Sequence, residues 1–111
     1  MSNIPRVDGV YFTAKHTVLI EAKTASEQTT PYNLRAGVKY TLLCSTLSTG
    51  EEIVGEIYDP SRSAWQPWFY AGNRVKLAQN QEQFFFDGAS ALVRFVKPVT
   101  TTNVGLTIFY A

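Results

Sequence analysis

Apolar side chains recur at every second position in short runs cut by Gly, Pro, Asn and Asp, and this period of two is the strongest constraint on the chain. In VKYTLLCS, Val38, Tyr40, Leu42 and Cys44 fall on one face, with Lys39, Thr41, Leu43 and Ser45 on the other. Similar runs are GVYFTA (9–14), TVLIEAK (17–23), EIVGEIY (52–58), RVKLA (74–78), EQFFFD (82–87), ALVRFVK (91–97) and VGLTIFY (104–110). With the segment around Trp68 they make about nine candidate strands. Helical periodicity is absent from windows longer than about ten residues. The nearest candidate, SEQTTPYNLRAG, is interrupted by Pro31 and closed by Gly37, so at most one short helical turn is expected there.

Short strands in a chain of 111 residues can hide their apolar faces only against one another. The expected fold is therefore all-β: a single-domain antiparallel β-sandwich of the jelly-roll type, because loops of variable length suit Greek-key crossings better than tight hairpins. A hydrophobic content of 45% against 17% charged residues supports one genuine core, and a chain of this size buries about two thirds of its unfolded surface. Residues 1–6, polar and containing Pro5, are expected to form a flexible arm, and 7–111 the sandwich, whose last strand ties down the far end.

The formal charge of +1 comes from scattered Lys and Arg, which gives no footprint for nucleic acid. No window approaches the ~20 apolar residues of a membrane-spanning helix, and the start lacks the basic and apolar regions of a signal peptide, so no membrane is expected and the chain is read as working in solution. A single cysteine, Cys44, offers neither an intramolecular disulfide nor a CxxC metal pair.

Candidate chemistry is sparse. Nucleophilic catalysis needs a base beside the nucleophile, and the one histidine, His16, lies at a strand start while Cys44 shares a core phase. Glu51, Glu52, Glu56 and Asp59 read as a solvated edge instead of a paired acid and base. No loop has the dense Asp and Asn pattern of a calcium site, so neither a metal nor a cofactor is expected. The triple phenylalanine Phe84–Phe86 is flanked by Glu82, Gln83 and Asp87, which repel phosphate. It reads as a strand buried on both faces, or buried on one and covered by a loop or partner on the other.

The aromatic stretch YDPSRSAWQPWFYAG (58–72) is the most specific candidate surface. Asp59 and Pro60 predict a type I turn, making 53–58 and 64–70 a hairpin. Strand alternation then separates Trp65 and Phe69 from Gln66, Trp68 and Tyr70. Trp65 with Phe69 is assigned to the core, leaving Gln66, Trp68 and Tyr70 as candidates for a protein interface or a sugar-stacking surface. Burial of the whole set is the other arrangement, and Pro67 is the place where the register can break.

Two segments carry a resemblance. NLRAGVKYTLL (33–43) resembles a strand start of jelly-roll domains, carbohydrate-binding modules among them, in which Gly37 would make a turn and Tyr40 would go into the core. GEIYDPSRSAWQPW, ALVRFVKP and the closing VGLTIFY resemble small jelly-roll proteins of tailed-phage heads, and the whole chain resembles the capsid decoration or stapling proteins of short-tailed bacteriophages. That resemblance implies a non-enzymatic protein on the capsid exterior, made in the host cytoplasm. It would bridge neighbouring copies of the major capsid protein and associate with itself, a dimer being favoured. A carbohydrate-binding module is the alternative.

Overall fold

A sheet with one apolar face is stable only when a second sheet covers it. The computed structural model describes residues 15–111, together with the backbone of Arg6–Val7 and Val10–Tyr11. In chain order the strands are β1 (Arg6–Val7), β2 (Val10–Tyr11), β3 (Lys15–Lys23), β4 (Glu27–Gln28), β5 (Tyr32–Leu34), β6 (Lys39–Cys44) and β7 (Glu52–Asp59). They continue as β8 (Ala64–Pro67), β9 (Phe69–Tyr70), β10 (Asn73–Arg74), β11 (Lys76–Ala78), β12 (Gln83–Asp87), β13 (Ala91–Lys97) and β14 (Val104–Tyr110). The expected arm over 1–6 falls outside the described residues except for Arg6, whose backbone pairs with Tyr11.

One sheet runs β12-β6-β14-β3, and the other runs β11-β7-β13-β4, with β5 also on β13 and β8 also on β7. All these pairs are antiparallel. If β4 with β5, and β8 with β11, are each taken as one interrupted strand, the first sheet orders its members sixth, third, eighth, first, and the second fifth, fourth, seventh, second. That is the double Greek-key order of a jelly roll, so the expected all-β sandwich is the observed fold.

The core lies between the sheets. Ile20, Tyr40, Leu42, Leu106 and Ile108 enter from one side, and Ile53, Trp68, Leu77, Val93 and Phe95 from the other. The local readings at residues 33–43 hold: Gly37 has φ +81° in the turn before β6. Tyr40 is buried, and its hydroxyl accepts the Arg35 N–H at 2.8 Å. The short helical turn allowed at 26–37 does not form. Strands β4 and β5 occupy that segment on either side of Pro31, which has no N–H for a ladder.

A buried lysine closes one end. Lys97 follows Val93 and Phe95 on the inward phase of β13 and is 1% exposed. Its ammonium donates to Ala25 O at 2.7 Å, Pro98 O at 3.1 Å and Thr100 Oγ1 at 3.1 Å. Desolvation, followed by repulsion from Lys23, pushes its pKa below the ordinary 10.5, while three oxygen acceptors make burial tolerable.

Beside it, the Glu51 carboxylate accepts the N–H groups of Ser48 and Thr101, each at 2.8 Å. These donors hold its pKa below the ordinary 4.5. For a depressed acid the unfolded chain binds more protons between the two pKa values, so the stabilisation is present above 4.5 and is lost as pH falls through the folded value. Glu51→Gln is therefore expected to lower the thermal midpoint near neutral pH, with the gap to the wild type closing as the pH falls below 4.5 and through the lowered folded value. A gap unchanged across an acid titration would show that the two amide contacts do not carry the effect.

Candidate binding surface

The turn expected at Asp59 and Pro60 is present. Asp59 Oδ1 accepts Ser61 N–H at 3.0 Å, and the Arg62 N–H donates to Asp59 O at 3.3 Å. The hairpin register follows from it, with Tyr58 opposite Trp65, Ile57 opposite Gln66 and Glu56 opposite Pro67. Ile53, Gly55 and Ile57 face inward on β7, so Glu56 and Tyr58 face out, and Trp65 goes out with them. There it lies 5.2 Å from Tyr58, with the Arg94 guanidinium 4.3 Å above its ring and Arg94 Nε bonded to Glu56 Oε1 at 2.7 Å.

The assignment of Trp65 and Phe69 to the core, with Trp68 exposed, is thus corrected. Trp68 is 6% exposed and belongs to the core, whereas Phe69 is 59% exposed. Gln66 is exposed as expected, and Tyr70 is half-buried. Alternation holds through Pro67; the core face is the opposite one. Trp68 fits because Gly55 faces it. A Cβ there would lie 2.8 Å from Trp68 Cε3 and 3.2 Å from Val75 Cγ1.

The register breaks just beyond Trp68. Trp68 N–H donates to Gly55 O at 3.2 Å, Gly55 N–H to Val75 O at 2.8 Å, and Val75 N–H to Trp68 O at 2.9 Å. Between Trp68 and Val75 the chain leaves the sheet as the β9–β10 hairpin, turned by Ala71 and Gly72 at φ 51° and 83°. That excursion takes Phe69 into solvent. It also brings Tyr70 over the other sheet, where its hydroxyl accepts the Asp87 N–H at 3.1 Å.

These aromatics join the two sheets. Trp68 meets Phe86 edge-on at 5.0 Å and Phe95 at 6.1 Å, while Phe86 stacks on Tyr40 at 5.1 Å and meets Tyr70 at 6.0 Å. Of this stretch's aromatics, Trp68 enters the core and Tyr70 packs half-buried against Phe86, while Tyr58 and Trp65 pair on the outer face and Phe69 lies in solvent.

The surface that stands out lies elsewhere, on the outer face of β12-β6-β14-β3. Pairing aligns Phe85 with Thr41, Phe109 and His16, and the next row aligns Gln83 with Leu43, Thr107 and Val18. Phe85 is 67% exposed, Val18 46% and Leu43 37%. Phe109 is half-buried beside His16, with ring centroids 5.6 Å apart. A shallow depression of about 380 Å³ lies over Thr41, Leu43, Phe85 and Phe109. Phase explains the triple phenylalanine: Phe84 and Phe86 go inward, and Phe85, sharing a phase with Gln83 and Asp87, goes out. The other sheet's outer face is held by ion pairs, Arg94 with Glu56 and Lys76 with Glu52.

The candidate pair His16 and Cys44 is not brought together. His16 pairs across from Phe109 on the outer phase, while Cys44 pairs across from Leu106 on the core phase. Burial, with Glu82 nearby, pushes the Cys44 thiol up to about 12, far from a thiolate at neutral pH. Among the described residues no three His, Cys, Asp or Glu side chains group as a metal site.

Fold and surface together define a jelly-roll sandwich with one apolar outer face. Comparison with protein-family models, curated proteins and solved structures gives no significant match.

Proposed function

We propose that this chain is a non-enzymatic virion structural protein that seats on the outside of a phage capsid and bridges neighbouring major capsid protein subunits. The observation that carries the docking part is the apolar outer face bearing Val18, Leu43 and Phe85. Exposed apolar groups gathered on one rigid face favour a partner surface over water. The capsid as partner rests on the resemblance of GEIYDPSRSAWQPW, ALVRFVKP and VGLTIFY to phage-head proteins. Pairing of two chains about a two-fold axis belongs to the same proposal, because it would give one staple two capsid contacts. A sugar-stacking role loses its main support, since the Trp68 ring is enclosed by Gly55, Phe86 and Phe95.

Sedimentation with decoration-free capsids tests it. Wild-type protein is expected in the capsid pellet, and Leu43→Asp, which puts a charge on the outer face without touching the core, is expected to bind at least about tenfold more weakly. Wild-type protein left in the supernatant at saturating concentration, or undiminished binding by Leu43→Asp, would sink the proposal.

A further inference from the structure

Sheet edges normally carry a device that stops another strand from adding. Here β4 and β5 are two short pieces around Pro31, β8 and β11 are separated by the β9–β10 excursion, and β3 carries Lys15 and Lys23 with a shifted register against β14. Strand β12 has none of these. Its sequence, QFFFD, runs uninterrupted without lysine or proline, and among the described residues its sole strand partner is β6.

The direction of its free backbone groups is fixed by the ladder. Cys44 N–H donates to Glu82 O at 3.0 Å and Gly88 N–H to Val38 O at 2.7 Å, so even-numbered residues 82–88 bond inward to β6. The N–H and C=O groups of Gln83, Phe85 and Asp87 therefore point outward. Asp87 bears this out, because its N–H already donates to Tyr70 Oη, an oxygen standing where a carbonyl of an added strand would stand.

Alongside this edge runs a groove of about 830 Å³ lined by Arg74, Lys76, Asn80, Gln81, Gln83 and Phe85 among others. Ala78 and Gln81 close one end with paired backbone bonds of 3.2 and 2.9 Å. Its charges are unequally engaged. Lys76 is paired with Glu52 at 3.1 Å, and Glu82 Oε2 accepts the N–H groups of Leu47 and Asn80, both at 3.2 Å. Arg74 contacts Gly55 O at 3.1 Å through one terminal nitrogen, and its buried Nε has no partner. Arg74 lines the groove and makes no ion pair among the described residues, and a carboxylate is the group that a guanidinium binds best.

We infer that the outer edge of β12 is a strand-addition site for an extended segment of a partner protein, with the backbone bonding to Gln83 and Phe85 and an acidic side chain meeting Arg74. It rests on the proposed docking function for the nature of the partner and names one element of the contact.

A capped heptapeptide alternating valine and threonine around a central glutamate is the probe. On the wild-type protein, amide hydrogen exchange at Gln83 and Phe85 is expected to slow at least about tenfold at saturating peptide. Phe85→Pro and Gln83→Pro each remove an outward N–H while leaving the inward ladder to β6, a place where an edge tolerates proline. Both are expected to weaken peptide binding at least about tenfold, whereas Phe85→Ala, which keeps the N–H, weakens it less. Replacing the glutamate of the probe by lysine is also expected to weaken binding. Unchanged exchange at Gln83 and Phe85 with millimolar peptide overturns the inference, as does equal affinity in the folded proline variants or for the lysine peptide. If the proline variants fail to fold, the exchange measurement on the wild type decides. A protected edge in a protein that ignores capsids would overturn the capsid reading alone; capsid binding with an unprotected edge would overturn this inference alone.

Discussion

Trp68→Ala is expected to destabilise the fold by about 3–5 kcal/mol, the range for removing a large aromatic from a packed core. The ring touches both sheets: Phe86 lies at 5.0 Å across the interior, Phe95 at 6.1 Å in its own sheet, and the space over Gly55 is shaped to it. Gly55, Trp68 and Val75 are also bonded to one another through the backbone, so the neighbours cannot collapse into the vacated volume without disturbing the base of the β9–β10 hairpin. Urea unfolding followed by far-UV circular dichroism gives the measurement, and a midpoint within error of the wild type would contradict the burial. Phe69→Ala is the internal control. Its ring is 59% exposed, and the change is expected to stay within about 0.5 kcal/mol.

That contrast shows where sequence reasoning succeeds on this chain and where it stops. Period-two alternation places Tyr40 and Leu42 inward and Lys39 and Leu43 outward, because a strand paired on both sides leaves its side chains no other choice. The turn at Asp59 and Pro60 is equally legible, since its bonds are made within the turn itself. The orientation of Trp65 was present in the sequence too. A hairpin closed at Asp59 pairs Trp65 with Tyr58, and Glu56 marks that phase as the outer one. Spacing correctly puts Trp65 and Phe69 on one face, opposite Trp68; what misleads is taking that face for the core. The departure of the chain after Trp68 depends on bonds to Gly55 in a different strand, and no short window around the tryptophans contains that information. Likewise, QFFFD shows that one phenylalanine shares a phase with Gln83 and Asp87, whereas the freedom of its edge depends on the path of β11 and the β9–β10 hairpin.

Gly88→Ala is the second large effect, about 3 kcal/mol at the upper end of what overpacking normally costs. Gly88 follows β12 and donates its N–H to Val38 O at 2.7 Å. A Cβ at this position would sit 2.2 Å from Arg35 O, 2.5 Å from Tyr40 Cε2 and 3.0 Å from Val38 O. Two of those atoms belong to backbone, which cannot swing aside as the end of a long side chain can. Relief would require moving the Gly37 turn away from β12. That shift would break the bond from Arg35 N–H to Tyr40 Oη and unstack Tyr40 from Phe86. Gly50→Ala makes the comparison informative, because nothing lies within 4 Å of a Cβ there and the cost is that of a left-handed backbone at φ +82°, about 1–2 kcal/mol. Gly88→Ala is therefore expected to lower the thermal midpoint further than Gly50→Ala and to weaken exchange protection of the β6–β12 amides, which Gly50→Ala leaves intact. Equal shifts from the two variants would mean that the contact between Gly88 and the Gly37 turn is looser than these distances require.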